Sequence, residues 1–448
     1  MPSTKIVLIG VGSTSFGVDT LADLFARRAH LRGTHSTRIA LCDLDGAKLA
    51  RITRLAERMN AATDANFEIT GATDYRNALA DAEFVVVSVE LDRLARWKLD
   101  WEIPRQYGIR HVLGENGGPG ALTHSLRVID LVLGIAREIE ARAPNAYLLN
   151  YSNPMSRVML ALTRYTDVRA VGLCHQGLHG YFAVAHTLGI SDYFEPHWHP
   201  ASIARALQEK LSLQMAGVNN LTWIQALRER STGRDLYPEF RARLRTMPPT
   251  FEPLSRRLCD AFGLYPATGD GHAGEYFSFA YETSDLRGYD FDAYAARGAE
   301  LDARVDRANQ SPDVLNEFLA GDTSERAARI ITGLLNDSRE YEIAVNVVNH
   351  GALPGLPDWA VVEVPGIVTA NGILPLRVQA LPPAITAHLD HQIAIQDRVV
   401  EAAVHGDRNA ALQALLLDPL VTSFADAEKM LDELLAAHKD YLPAFNKR

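Results

Sequence analysis

The chain reads as an α/β protein, a doubly wound parallel sheet followed by a mixed α+β second domain. Two observations predict this. Short β-branched apolar runs alternate with helically spaced segments before about residue 200, and long amphipathic helices dominate after it. The glycine-rich turn after the first run is a third pointer.

The first strand is read at Lys5 to Gly10, passing through that turn into a helix over Val18 to Arg28. Further strands are expected at Arg38 to Asp43, Phe84 to Val89, Ala146 to Asn150 and Val168 to Cys174. Helices fall between them at Gly46 to Arg58 and Thr123 to Ala141. Such alternation makes a parallel sheet covered on both faces. Later helices are expected at Asp313 to Ala320, Ser324 to Leu335, Ala384 to His405 and Ser423 to His438, interrupted by a Pro/Gly-rich extended stretch from Gly351 to Leu376. With no internal repeat and no low-complexity linker, the boundary is soft and is set so that 1–197 form the first domain and 198–448 the second.

A chain of 448 residues with 47% hydrophobic content can bury a large core. Its net charge of −10, without a long basic run, excludes the clustered Lys and Arg that a nucleic-acid backbone needs. No apolar stretch approaches the roughly 20 residues of a membrane span, and no leader precedes the first strand, so a cytoplasmic protein with a small-molecule partner is expected. Cys42, Cys174 and Cys259 are too few for a disulfide framework, so a role for any of them is chemical.

Gly10, Gly12 and Gly17 lie in a strand-to-helix turn, where helix-terminal amides can hold a pyrophosphate. Gly10, Gly12, Ser13, Thr14, Ser15 and Phe16 are therefore the candidate cofactor turn, with Ser15 where the usual motif has its third glycine. Asp43, ending the second strand, is placed to accept hydrogen bonds from the adenosine ribose, which favours NAD over NADP. Starting the turn Asp43-Leu44-Asp45-Gly46 is the other reading of Asp43. The fold class is thus Rossmann-type, of lactate/malate dehydrogenase-like architecture.

Four clusters carry the chemistry: Gly117-Gly118-Pro119-Gly120, Asn150 to Met155, Gly172 to His175, and Gly217 to Trp223. With Leu264 to His272, Glu275, Tyr276, Asn346 to Gly351 and Val361 to Pro365, they resemble the NAD-dependent glycosidases of glycoside hydrolase family 4. They also resemble the metal-independent NAD-dependent sulfoquinovosidases of family 188. The resemblance covers essentially the whole chain. It implies a redox detour in which NAD takes hydride from C3 of the sugar, a base removes the C2 proton, and the aglycone leaves from C1. Water then adds and the ketone is reduced again, a route outside the two-carboxylate mechanism.

By that resemblance Cys174 matches the family's metal-ligand cysteine; a small buried hydrophobe is its other reading. The family's second ligand is a histidine, and Asn220 stands there, a poorer ligand for Mn²⁺. A ketone stabilised by hydrogen-bond donors such as Asn220, Asn153 and His175 replaces the cation in this reading. Tyr265 matches the region of the proton-abstracting tyrosine, or is a turn aromatic before Pro266. His175 follows the cysteine where some members place the acid that protonates the leaving group, work an imidazole can do.

Asn150 and Asn153 offer partners to cofactor and sugar, and a cis bond before Pro154 would fix the backbone there. Asp270 and His272 are further substrate-side candidates, with helix capping the competing reading of Asp270. Arg93, Arg96 and Lys98 could meet an anion on the sugar, or form a solvated basic helix face. A sulfoquinovoside is the first substrate to expect. An α-galacturonide or α-glucoside with Mn²⁺ is the alternative, and simple hydroxy-acid dehydrogenation the second. The resemblance also implies a homodimer or homotetramer.

Overall fold

The computed structural model describes residues 3–13, 16–32, 36–194, 200–283, 289–320 and 325–446. The expected boundary at 197/198 lies outside the described residues. Valine, isoleucine and leucine fill the early strands because branched side chains suit a ladder covered on both faces. The strands are β1 (Ser3–Ile9), β2 (Ser36–Cys42), β3 (Glu68–Ala72), β4 (Phe84–Val87), β5 (Tyr147–Asn150), β6 (Arg169–Gly172), β7 (Leu211–Val218), β8 (Leu221–Glu229), β9 (Tyr265–Pro266), β10 (Tyr341–Val348), β11 (Val361–Thr369) and β12 (Gly372–Pro375).

Among the described residues these form one sheet in the order β3-β2-β1-β4-β5-β6-β10-β11-β7-β8-β9, with β12 on β11. The first six pair in parallel, in the doubly wound order expected of a Rossmann-type half. From β10 onward every pairing is antiparallel. The later strands therefore continue the first sheet and do not build a second one. The extended stretch Gly351 to Leu376, expected to interrupt the helices, holds β11 and β12.

The unanticipated strands have physical reasons. β3 (EITGA) carries no buried residue and lies at the open edge, so its letters lack a core pattern. Burial in β7 alternates at first (BeBi), the period of a strand with one wet face. Arg93, Arg96 and Lys98 lie in the first turns of the helix Arg93–Gln106.

The long helix Pro383–His405 does not stand free. Its Ile395, Val399 and Val400 share one apolar cluster with Ile129, Val132 and Val158, from the helices Gly118–Arg142 and Met155–Tyr165. Burying each such side chain stabilises the fold by about 1.5–3 kcal/mol. Among the described residues no helix is long and apolar enough to cross a membrane.

One line of register runs across the sheet: Cys42, Ile9, Val87, Asn150, Gly172, Asn346, Glu363, Gly217 and Thr222 are successive partners. The glycine turn, Asp43, the cis Asn153–Pro154 bond, Cys174 and the Asn219–Asn220 turn all follow within a few residues of this line. Gly10 shows how tightly the crossing is built. It has φ +87, and a Cβ there would lie 2.0 Å from the Ser88 carbonyl oxygen. Gly10→Ala is expected to destabilise the protein by roughly 3 kcal/mol, read as a lowered Tm, with nucleotide affinity lost in parallel. An unchanged Tm would show that the β1–β4 crossing is not close-packed.

Candidate active site

The nucleotide end is built by backbone. Gly12 N–H donates to Asp43 Oδ2 at 2.8 Å, and Asp45 N–H to Asp43 Oδ1 at 2.9 Å. A Cβ on Gly12 would stand 2.8 Å from Asp43 Oδ2 and one on Gly17 only 2.0 Å from the Val11 carbonyl oxygen, so a cradle is kept open. The turn reading of Asp43 is realised, and its two oxygens retain further acceptor capacity. Ser13 Oγ lies 3.4 Å from Ser88 Oγ. Thr14 and Ser15 lie outside the described residues. A narrow cleft lined by Gly12, Ser13, Lys48, Arg51 and Leu301 adjoins the turn. These residues fit NAD.

Phe16 leads from the turn toward the chemistry, stacking on Tyr151 at 5.0 Å and approaching His175 at 5.9 Å. His175 Nδ1 lies 3.6 Å from Glu325 Oε1. The neighbouring Arg326 ties the backbone down: its guanidinium donates to the Cys174 carbonyl at 2.7 Å and pairs with Glu342. Asn150 is fully buried, and its side chain closes a turn on Ser152, donating to Ser152 O at 3.0 Å and accepting from Ser152 N–H at 3.1 Å. It therefore shapes the loop before cis-Pro154 and is turned away from solvent. Asn153 is half-buried, and its Oδ1 is an enclosed acceptor with no hydrogen-bond partner.

Cys174 Sγ lies 3.6 Å from Asn220 Oδ1. Burial, then the nearby Glu363, pushes its thiol up to about 12. Asn220 has φ +61 in the turn between β7 and β8, so the turn reading is realised as well. Among the described residues no three His, Cys, Asp or Glu side chains gather as a metal site would need. A lone thiol beside a carboxamide, with no imidazole or carboxylate gathered to share the ion, does not fit Mn²⁺.

Glu363 is the residue the sequence did not bring forward as a functional group. It is 1% exposed, and its Oε1 accepts from Asn219 Nδ2 at 3.1 Å and Asn346 Nδ2 at 3.0 Å. Burial raises its pKa, against those two hydrogen bonds. The available signal was a lone carboxylate inside the apolar run Val361 to Pro365.

Five expected residues are placed differently. Tyr265 is fully buried, its ring edge-on to Phe240 at 5.3 Å in the apolar cluster around β7 and β8. Burial, then Glu252 and Asp270, raise its pKa well above the ordinary phenol value, so a phenolate is disfavoured there. Asp270 caps a helix, though not its own: its carboxylate accepts from Leu254 N–H at 2.8 Å and Ser255 N–H at 2.7 Å, opening Pro253–Phe262. Burial and Glu252 push it up to about 7. Arg93 is held by Glu90 and Glu115, which neutralise it. Arg96 donates to the Ala437 carbonyl at 3.2 Å, and Lys98 is exposed beside Glu102 at 3.9 Å, so neither joins Arg93 around an anion.

His272 is tied to the turn at 115–118 through Glu275. Its Nδ1 lies 3.0 Å from Glu275 Oε1, while Glu275 Oε2 accepts from the N–H groups of Glu115, Asn116 and Gly117 at 2.7, 2.7 and 3.2 Å. The turn 115–118 is thereby locked onto the later half of the chain. The adjacent Tyr276 hydroxyl donates to the Asn219 carbonyl at 3.3 Å.

Comparison with known proteins identifies the family. Residues 5–189 match the model of family 4 glycosyl hydrolases, and residues 215–421 that of the family 4 C-terminal domain. An alpha-glucosidase of Erwinia rhapontici is 32% identical over 98% of this chain and 99% of its own. An alpha-galactosidase of Bacillus subtilis is 29% identical over 98% and 99%. A solved 6-phospho-alpha-glucosidase from gut microorganisms, in complex with NAD and Mn²⁺, superposes with a TM-score of 0.82 at 20% identity over 99% of both chains. The chain belongs to glycosyl hydrolase family 4.

Glu363 sets a stability test. An acid whose folded pKa is raised above the unfolded value makes its contribution below the unfolded pKa and loses it as pH rises through the folded one. Glu363→Gln is therefore expected to flatten the fall in Tm as pH rises above the ordinary glutamate range, relative to wild type, by scanning calorimetry. Parallel curves would show that Glu363 stays charged throughout.

Proposed function

We propose that the protein is an NAD-dependent glycosidase that works by oxidation at C3 and elimination across C1–C2 without a divalent metal. The observation that carries it is the pairing of an open glycine cradle at Gly10–Gly12 with a Cys174–Asn220 pair that lacks the donors for Mn²⁺. Bound NAD⁺ supplies a two-electron acceptor at the sugar C3 and returns the same pair after hydrolysis. The chain does the rest. Asp43 and the glycine turn hold the dinucleotide, and Phe16 packs between the turn and His175. His175, backed by Glu325, protonates the leaving oxygen. Asn153 and Asn220 take the sugar hydroxyls, and Asn220 donates to the developing oxyanion in place of a cation.

A sulfoquinovoside is the first substrate in this reading, supported by the metal-free donor set. Arg93 is not its sulfonate holder, because two carboxylates already occupy it. That commitment favours a second reading, an uncharged α-glucoside, in keeping with the name of the 32% identical relative.

The test is nitrophenol release from α-nitrophenyl sulfoquinovoside, galacturonide and glucoside by nucleotide-stripped protein, with and without NAD and with chelator present. Release that requires NAD and survives the chelator is expected. Release abolished by chelator and restored by Mn²⁺ would overturn the metal-free mechanism; NADH accumulating on simple hydroxy acids, with no release, would overturn the glycosidase.

A further inference from the structure

The reading above leaves the C2 proton without an acceptor, since Tyr265 is enclosed in the core. We propose that His272 is the base that takes it, with Glu275 as its positioning residue, and this inference rests on the glycosidase reading.

The geometry is that of a carboxylate–imidazole pair. Glu275 is fully enclosed, whereas the His272 side chain is 17% exposed, so the imidazole is the part that a ligand can reach. Glu275 Oε2 receives three backbone N–H donors and so acts as an acceptor. The oxygen beside it, Oε1, lies 3.0 Å from His272 Nδ1. Nδ1 therefore carries the hydrogen in the neutral ring, and Nε2 keeps its lone pair. The three donors also hold Glu275 still, because the turn they belong to opens the 25-residue helix Gly118–Arg142. A fixed carboxylate behind Nδ1, with Nε2 outward, is how an imidazole is oriented and its charged form stabilised in acid–base catalysis.

The pair is also in the right neighbourhood. On one side it meets Glu115 to Gly117; on the other, Arg157 and Tyr276 sit within charge range of Glu275. Arg157 lies in the helix that starts just after cis-Pro154, and Tyr276 is bonded to Asn219. Glu275, which holds the imidazole, thus stands between the helix that follows the Asn153 loop and the Tyr276 contact to the Asn219–Asn220 turn.

The step balances as follows. Once C3 is a ketone, Nε2 takes the C2 proton, the C2–H electron pair becomes the C1–C2 double bond, and the C1–O bond breaks. The departing oxygen takes its proton from His175. Water then adds at C1, giving its proton back to His175, while Nε2 returns its proton to C2.

Burial alone would lower the His272 pKa, but the hydrogen bond and charge of Glu275, together with Glu115, outweigh it and leave it raised. Glu115 is itself bound to Arg93, and His124 and Glu90 complete the charged groups behind it. Because the base must be neutral, C2 proton removal is expected to rise with pH through the His272 pKa.

The experiment follows C2–H exchange into D₂O, NADH formation in one turnover and nitrophenol release on the same cleavable glycoside. His272→Gln is expected to lower exchange and release by roughly 10²- to 10⁴-fold and to abolish the acid limb, while NADH still forms. His272→Ala should regain exchange with added imidazole. Glu275→Gln, which removes the negative partner, should move the acid limb to lower pH. Unchanged exchange in folded His272→Gln, or an unmoved limb in folded Glu275→Gln, overturns the assignment. If a variant fails to fold, wild-type exchange decides: a rate flat between about pH 5 and pH 9 overturns it. Wild type that releases nitrophenol without NAD defeats the glycosidase mechanism itself, a result separate from any failure of His272.

Discussion

A buried carboxyl group organises the antiparallel half of this sheet, and Asn346, one of its partners, also reaches the Gly172 carbonyl of the parallel half at 3.4 Å. Glu363 sits where β10 and β11 leave the parallel register, receiving the side-chain amides of Asn346 and Asn219. Leaving one such donor unpaired inside a protein costs about 1–3 kcal/mol, so the three groups constrain one another. The crossing also needs bare backbone. A Cβ on Gly172 would lie 2.5 Å from Met155 Sδ, and one on Gly217 2.3 Å from the Leu221 carbonyl oxygen. Two glycines and one shared acceptor thus allow an antiparallel extension to grow from a dinucleotide-binding sheet.

That joint governs the chemistry above it. Asn219 is pinned by Glu363, which sets Asn220 in its left-handed turn, and Asn220 faces Cys174. Raising the thiol pKa to about 12 keeps the sulfur protonated. A cation could ionise it, but only with partners able to share the ion, and a carboxamide is a weak one. The same turn offers an amide donor on rigid backbone, and a preorganised dipole can stabilise developing negative charge without reorganising during the reaction. Asparagine at this turn, where the family resemblance implies an imidazole, therefore favours a hydrogen-bond donor over a metal ligand as the electrostatic help on offer.

Much of the first half was legible because its signals are local. The glycine turn, Asp43 and the alternation of strand and helix each follow from a few adjacent letters. The later half was less so. β11 occurs in a stretch rich in proline and glycine, and its strand character comes from pairing with β10 and β7, segments far away in sequence. Residues with long-range partners were misjudged for the same reason. Asp270 has the letters of a cap for the helix that follows it, yet caps one that begins 17 positions earlier, at Pro253. Tyr265 is placed by its pairing with Ile224, which turns the ring toward Phe240. Glu363 could be noticed from sequence, but not its two asparagine partners.

The corner at Glu90, Arg93, Glu115 and His124 bears on which sugar can enter. One guanidinium between two carboxylates leaves a negative balance unless His124 is charged. Burial opposes that charge, but Glu90 at 3.3 Å outweighs it and raises the His124 pKa. Arg93 also faces Trp97 at 5.0 Å and Tyr294 at 5.6 Å, so its remaining surface is covered by aromatic rings. An anionic sugar placed here would have to displace a carboxylate already paired at hydrogen-bond distance, and the displaced group would stay partly buried without its cation. Leaving a buried charge unpaired costs roughly 3–5 kcal/mol, more than one new charge-assisted bond, about 1.5–3 kcal/mol, returns. The corner is therefore built to hold the loop after β4 rigid, and an anionic substituent has to be met by groups other than Arg93.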